Sequence, residues 1–297
     1  MSLDLSRRGL LLAGLGCLAT GCSSARQPSR TGSAVHSRSA TPAPTAPASV
    51  SPSTAPRAEL PAVQPWVPSV ADVTPAAKLA AVRRIERSGN RDGSVLQVID
   101  AQYGGILEAT ASVLVVTRSW TLHGAGVHVD GHTFDVRLLR AGRQWRVTAV
   151  HPSRPGPRAR LTATARRLLR TDRVELPPAA RRDVESGRVH DSVLTAILTL
   201  ARDFHVGVSV VRSGHPLDVF GTDRLSDHPL GRAFDTWRID GHPVIDPRTS
   251  RSLVVDYMHA AAAAGSYNVG GPYLLGAAPQ WFSDDTHHDH VHAGFTH

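Results

Sequence analysis

The hydrophobic pattern of the first folded stretch predicts one helix followed by a run of strands. Apolar side chains recur at helical spacing after Pro75, and Thr74 precedes it as a candidate cap. Beyond Gly93 the pattern becomes strand-like, with Asp130-Gly131 and Ala141-Gly142 typical of tight turns. The predicted strands are 95–99, 108–120, 126–129, 133–139 and 144–150. We therefore predict a small helix-plus-curled-sheet domain over residues 74–152.

A proline-rich connector at residues 152–157 separates this stretch from a second pattern, in which helices come first and strands follow. The predicted elements are helices at 161–169, 177–187 and from a cap at Asp191 or Ser192, strands at 206–211, 233–239 and 242–245, a helix at 252–264 and a final strand at 289–295. This order predicts an α+β domain over residues 158–297, with one small antiparallel sheet.

The N-terminus has the pattern of an export signal. Arg7 and Arg8 precede an apolar run that is shorter than the ~20 residues needed to cross a bilayer. The paired arginines resemble a twin-arginine signal, and residues 18–22 resemble the lipobox of bacterial lipoproteins, in which the cysteine is acylated. An ordinary signal peptide with an incidental cysteine is the alternative. The signal at residues 1–22 thus predicts an exported protein of the cell envelope, anchored to the membrane through Cys22 and facing the wall.

Residues 23–73 consist largely of Ser, Thr, Ala and Pro. Such a composition buries too little apolar surface to offset the entropy of ordering the chain, so we expect this segment to stay extended and mobile. Behind a lipidated cysteine it would act as a tether that lifts the folded part off the membrane.

The net charge limits the kinds of binding partner that we expect, and the cysteine content limits the side chains that could bind a metal. The net charge of +8 favours an anionic neighbour, but no basic run is interleaved with aromatic residues, so we predict no nucleic-acid partner. Both cysteines, Cys17 and Cys22, lie in the signal, so the folded part has no thiol. A metal site must therefore come from carboxylates and from the 16 histidines.

Two separated stretches supply such ligands. His228 and Asp235 are seven residues apart, and a bend at Gly231 would let both side chains reach one point. In a strand, His290 and His292 share one face, because side chains alternate. Three ligands of mixed nitrogen and oxygen type, with a fourth position left for water, are typical of catalytic zinc.

These stretches resemble the zinc D-Ala-D-Ala carboxypeptidases and the related murein endopeptidases. Residues 226–235 have the Ser-x-His-x-x-Gly-x-Ala-x-Asp pattern, and the segment 287–292 resembles the endopeptidase version of the closing motif. The resemblance covers residues 206–297, about a third of the chain. It implies one zinc ion held by His228, Asp235 and His292, with the catalytic groups drawn from His287, Asp289 and His290. The first domain loosely resembles the cone-shaped domains related to nuclear transport factor 2.

The identity of the catalytic base stays open. Asp289 lies three residues before His292, where the carboxypeptidases have an acidic base, but a regular strand would point it away from the metal. His290 shares the face of His292 without a bend in the strand. We therefore favour His290 as the group that contacts the metal-bound water or the oxyanion. Asp289 would then act either as the base or as the residue that orients a ligand histidine.

The substrate-binding residues are also partly open. Ser226 occupies a signature position and is a candidate for substrate binding. These carboxypeptidases have an Arg shortly after a Ser-Gly pair, which grips the terminal carboxylate of the substrate. Here His215 follows Ser213-Gly214, and Arg212 before the pair is the candidate substitute.

The sequence therefore predicts a zinc-dependent peptidase that hydrolyses amide bonds in peptidoglycan stem peptides or cross-links. A zinc-containing envelope-binding lipoprotein without turnover is the alternative, favoured by the missing Arg. A third hypothesis is that the first domain recruits a partner for the second. Neither the scissile bond nor the oligomeric state follows from the sequence.

Overall fold

The computed structural model describes residues 58–297. These residues form two β-sheets, and helices pack against both of them. The predicted signal, Cys22 and the tether as far as residue 57 lie outside the described residues. Among the described residues, no helix combines the length and the apolar character that a membrane span requires.

The first sheet is antiparallel and packs against helix α1, Pro75–Gly89. Its five strands run in the order β1-β2-β4-β5, with β3 paired to β2. They are β1 Ser94–Ile106, β2 Thr110–His123, β3 Gly126–Asp130, β4 Thr133–Ala141 and β5 Gln144–Pro152. The apolar face of α1, with Ala81, Val82 and Ile85, packs against the buried apolar side chains of these strands in one core. The predicted helix and strands are thus present, although the Thr74 side chain makes no capping hydrogen bond.

The predicted hairpin turn at Asp130-Gly131 is wrong. Strands β3 and β4 do not pair with each other, because both pair antiparallel with β2, one after the other along the same edge. Gly131 lies where this edge is interrupted, and a Cβ there would lie 2.1 Å from the carbonyl oxygen of Thr117. The glycine is therefore required by close backbone approach rather than by a turn. The turn at Ala141-Gly142 is confirmed, with Gly142 at φ +61°.

The second sheet contains seven strands in the order β11-β10-β12-β8-β7-β6, with β9 paired to β8. Its strands are β6 Val174–Glu175, β7 Val206–Val210, β8 Ala233–Ile239, β9 His242–Pro243, β10 Asn268–Gly270, β11 Trp281–Phe282 and β12 Val291–Gly294. The pairs β6–β7 and β10–β11 are parallel, so this sheet is mixed rather than antiparallel as predicted. The α+β class is confirmed.

Four helices surround the second sheet: α2 Ala163–Leu168, α3 Pro178–Glu185, α4 Asp191–Leu200 and α5 Arg251–Ala263. The buried faces of α4 and α5 share one core with β7, β8 and β12. Helix α4 begins at Asp191 and its N-cap position is His190, so neither Asp191 nor Ser192 caps it as predicted. The apolar face that the sequence assigned to this helix is nevertheless the buried one.

The two sheets are in direct contact. Leu114 and Val116 of β2 form a fully buried cluster with Val210 of β7. Gly105 of β1 faces the ring of Phe220, leaving no room for a Cβ between them. Residues 58–73 contain no helix or strand. Trp66 nevertheless packs against the core between α1 and the first sheet, and Asp72 is buried. All described residues lie in a single compact unit.

Candidate metal centre

The three predicted metal ligands lie together in the structure. The Asp235 Oδ1 atom lies 3.1 Å from His228 Nε2 and 3.0 Å from His292 Nδ1, and the two imidazole nitrogens are 3.2 Å apart. All three side chains are buried. Ligand atoms around a tetrahedral zinc ion at 2.0–2.1 Å are separated from one another by about 3.3 Å. The triangle formed by these atoms therefore has the size that a zinc ion requires.

The orientation of the His228 ring also fits a cation. His228 Nδ1 lies 2.9 Å from the carbonyl oxygen of Val211, which only accepts, so Nδ1 is the ring nitrogen that donates there. His228 Nε2 is then the nitrogen that faces Asp235 and His292, and in the neutral ring its lone pair is available to a metal. The donor set therefore fits a metal ion.

Local backbone geometry explains how residues 228 and 235 meet. Gly231 has φ +73°, its N–H donates to the His228 carbonyl oxygen, and an added Cβ would lie 2.1 Å from the Arg188 carbonyl oxygen. This tight bend returns the chain into β8, where Asp235 is directly opposite His292 of β12. The bend that the sequence placed at Gly231 is therefore present, and strand pairing supplies the third ligand.

The electrostatics favour the protonation states that bind metal. Burial alone would raise the pKa of Asp235, but the neighbouring His228 and His290 hold it well below its usual range. Burial lowers the pKa of His292 to about 4, against the opposing effect of Asp235. A carboxylate and a neutral imidazole are the forms in which Asp and His coordinate a metal.

Asp289 and His290 lie just before β12, because this strand begins at Val291 rather than at residue 289 as predicted. His290 Nδ1 lies 2.6 Å from Asp289 Oδ1, and His290 Nε2 lies 3.7 Å from Asp235 Oδ1. Burial alone would lower the pKa of His290, but the carboxylates of Asp235 and Asp289 raise it to about 9. His290 therefore faces the ligand triangle, and Asp289 lies behind it.

His287 lies at the edge of the same group of rings. Its Nδ1 atom is 2.7 Å from Asp284 Oδ1, and its ring is 5.2 Å from that of His290 and 5.7 Å from that of His292. Burial would raise the pKa of Asp284, but the hydrogen bond and charge of His287 lower it to about 2. His287 is thus held in place beside the ligands without being one of the three.

His215 is a site residue that the sequence reasoning missed. Its ring stacks on that of His228 with centroids 4.2 Å apart, and it forms, with His228 and Asp235, a group of potential ligand atoms within 4.8 Å of one another. Burial and the charge of His228 lower the pKa of His215 well below its usual range, so this imidazole is neutral. Its position directly after Ser213-Gly214 was the available signal.

A cavity of about 680 Å³ opens beside these rings, a size typical of small-ligand sites. His287, His290 and His292 line it together with Ser226, whose hydroxyl oxygen accepts the His228 N–H. Arg212 does not line this cavity. Its guanidinium donates to the carbonyl oxygens of residues 154 and 155 and pairs with Asp183.

The first sheet and α1 also contribute to the site, which the sequence did not predict. The ammonium of Lys78 lies between Asp289, at 2.7 Å, and Asp72, and it is the only lysine of the chain. Burial alone would lower the pKa of Lys78, but Asp289 and Asp72 raise it. With His288 these two aspartates form a second group that could hold a metal ion, but the ammonium already supplies the cation there.

Strand β1 reaches the same site with two adjacent residues. The Gln102 Nε2 atom donates to Asp235 Oδ2 at 2.7 Å, and the Tyr103 backbone N–H donates to Asp289 Oδ2 at 3.1 Å. Both acceptors belong to the second half of the chain.

Comparison of the chain with protein-family models, with curated proteins and with solved structures found no match. The structure itself shows that groups of His and Asp side chains among the described residues could hold a metal ion.

Proposed function

We propose that this protein is a zinc-dependent peptidase that hydrolyses amide bonds in peptidoglycan stem peptides or cross-links. One observation carries the proposal. Three buried atoms of the metal-binding type, one each from His228, Asp235 and His292, converge at 3.0–3.2 Å from one another, beside the His290 imidazole that lines a cavity. This arrangement provides a metal with three protein ligands and one side open, which is typical of catalytic zinc.

The substrate class is supported by the residues that surround the ligands. The pattern from Ser226 to Asp235 and the closing His290-Val291-His292 resemble the murein endopeptidases and the zinc D-Ala-D-Ala carboxypeptidases, and we propose their fold for the second half of the chain. Arg212 is held away from the cavity and cannot bind a terminal carboxylate there in this conformation. This favours cleavage within a cross-link over removal of a terminal residue.

The residues of the chain would have distinct roles in hydrolysis. When bound, zinc would act as a Lewis acid that polarises the carbonyl and lowers the pKa of water. His290 Nε2 faces the ligand triangle from within the cavity, where the protonated ring that its raised pKa favours could stabilise the oxyanion and give a proton to the leaving amine. Asp289 would hold the His290 ring through Nδ1. His287 and Ser226 line the cavity and would contact the substrate.

The test is digestion of a set of cross-linked and linear muropeptides by the purified chain. We expect cleavage that a chelator abolishes and zinc restores, and that His228→Ala removes. His128→Ala is the matched control, because His128 is exposed on β3, and it should cleave normally. Intact muropeptides after zinc loading would contradict the peptidase and favour an envelope-binding protein without turnover, the alternative that the orientation of Arg212 supports.

We further propose that the protein is exported and anchored in the cell envelope through a lipid on Cys22, as the lipobox-like residues 18–22 indicate. Wild-type protein is then expected in the membrane fraction of the host, and Cys22→Ser in the soluble fraction. Equal partition of both would contradict the anchor.

A further inference from the structure

Gln102 is buried far more completely than a strand glutamine normally is. It is 1% exposed, although a primary amide loses several hydrogen bonds to water when it leaves solvent. Both ends of its side chain find partners in the second half of the chain. Nε2 donates to Asp235 Oδ2 at 2.7 Å, and Oε1 accepts the hydroxyl of Ser209 in β7.

The two oxygens of the Asp235 carboxylate therefore have different partners. Oδ1 faces His228 and His292, whereas Oδ2 is occupied by the amide of Gln102. A carboxylate with one oxygen held in this way presents a single oxygen to a metal, in a fixed orientation. Hydrogen bonds to metal ligands of this kind commonly change metal affinity by about 10- to 100-fold.

The amide of Gln102 is itself oriented. The Ser209 hydroxyl can donate to Gln102 Oε1 but the amide nitrogen cannot accept, so this bond fixes which end of the amide faces Asp235. Ser209 is fully buried, and it also lies 3.3 Å from the Asp235 carbonyl oxygen. Two hydrogen bonds in series therefore link β7 to the Asp235 carboxylate through β1: Ser209 donates to Gln102, and Gln102 donates to Asp235.

We propose that Gln102 is a positioning residue for the metal ligand Asp235, so that the first sheet sets the metal affinity and the coordination of a centre whose ligands all lie in the second half. The inference rests on the metal site of the proposed function but not on its substrate. The first sheet is then part of the metal centre rather than a separate recruiting module.

The experiment compares Gln102→Met with the wild-type full chain. Methionine has the same length and no hydrogen-bond donor. Gln97→Met on the same strand is the control, because Gln97 is half-buried and its side chain has no hydrogen bond to His228, Asp235 or His292. Zinc affinity is measured by competition with a chromophoric chelator, and coordination by the visible spectrum of the cobalt-loaded protein. We expect about 10- to 100-fold weaker zinc binding for Gln102→Met, with a weaker cobalt absorption as the freed oxygen joins the coordination sphere.

Wild-type affinity and an unchanged cobalt spectrum in Gln102→Met would overturn the proposal. If this variant does not fold, Ser209→Ala provides the test, because it removes only the hydroxyl that orients the amide. It should weaken zinc binding in the same direction by less than about tenfold, and an unchanged affinity would again overturn the proposal. A wild-type chain that binds zinc but cleaves no muropeptide would contradict the peptidase alone and leave this role of Gln102 intact.

Discussion

At the scale of single residues, the position of Asp289 decides between the two candidates for the proton-transfer group. Its Oδ2 atom accepts from the Lys78 ammonium and from the Tyr103 N–H, and its Oδ1 atom contacts His290 Nδ1. Both oxygens of Asp289 therefore already have partners, and Asp289 does not line the cavity that His290 lines. His290 Nε2 is thus the atom that a substrate in the cavity would meet, and we interpret Asp289 as a positioning residue.

The substitution Asp289→Asn tests this division of roles. Two donors converge on Oδ2, so the amide oxygen of the asparagine will take that position and its NH2 will face His290 Nδ1. His290 must then accept at Nδ1 and stay neutral, so it can no longer act as the imidazolium that stabilises the oxyanion and protonates the leaving amine. We expect kcat for muropeptide cleavage to fall by about 10²–10⁴.

Separate determination of kcat, KM and zinc affinity distinguishes this effect from simple misfolding. KM and zinc affinity should change little, because the ligand triangle is untouched. The control is Asp256→Asn, at an exposed position of α5, which should leave all three unchanged. A loss of zinc with unchanged kcat in the fully loaded variant would show that Asp289 only supports the metal.

At the scale of elements, the sequence predicted those features that depend only on neighbouring residues, such as helix starts and tight turns. Pro75 starts α1 where its fixed φ suits the first helical turn, and Gly142 provides the positive φ of the turn between β4 and β5. Asp130-Gly131 has the same composition as a hairpin turn but lies within an interrupted edge of β2. The choice depended on which strand pairs with which, and pairing is a long-range property that a dipeptide does not contain.

The residues of the candidate site likewise fall into those that the sequence could predict and those that it could not. His228, Asp235 and His292 could be predicted together because a short bend and one strand pair bring them into contact. Gln102 and Lys78 could not, because their contacts depend on how the first sheet packs against the second. Lys78 nevertheless leaves a signal, since it is the single lysine among 33 basic residues. Where arginine serves every other basic position, a lone lysine indicates a place that needs a compact ammonium.

At the scale of the whole molecule, a buried charge group joins the two sheets. Lys78 belongs to α1, Asp289 precedes β12, and Asp72 comes from the segment before α1. The side chains of all three are at most 2% exposed. Two carboxylates at this depth are stable only with a cation between them, since an unpaired buried charge costs several kcal/mol. We therefore expect the two sheets to unfold together rather than one at a time.

The substitution Lys78→Met tests this coupling, because it keeps the length of the side chain and removes the charge. Asp72 and Asp289 are then left close together without their cation, and we expect a loss of about 3–5 kcal/mol in the free energy of unfolding. Urea denaturation followed by tryptophan fluorescence and by circular dichroism measures it, with Arg83→Met on the exposed face of α1 as the control. Coincident transitions in the wild-type chain and a large shift in Lys78→Met alone are expected. If Lys78→Met were as stable as Arg83→Met, the buried ammonium would not join the sheets, and their contact would depend on the apolar cluster around Val210.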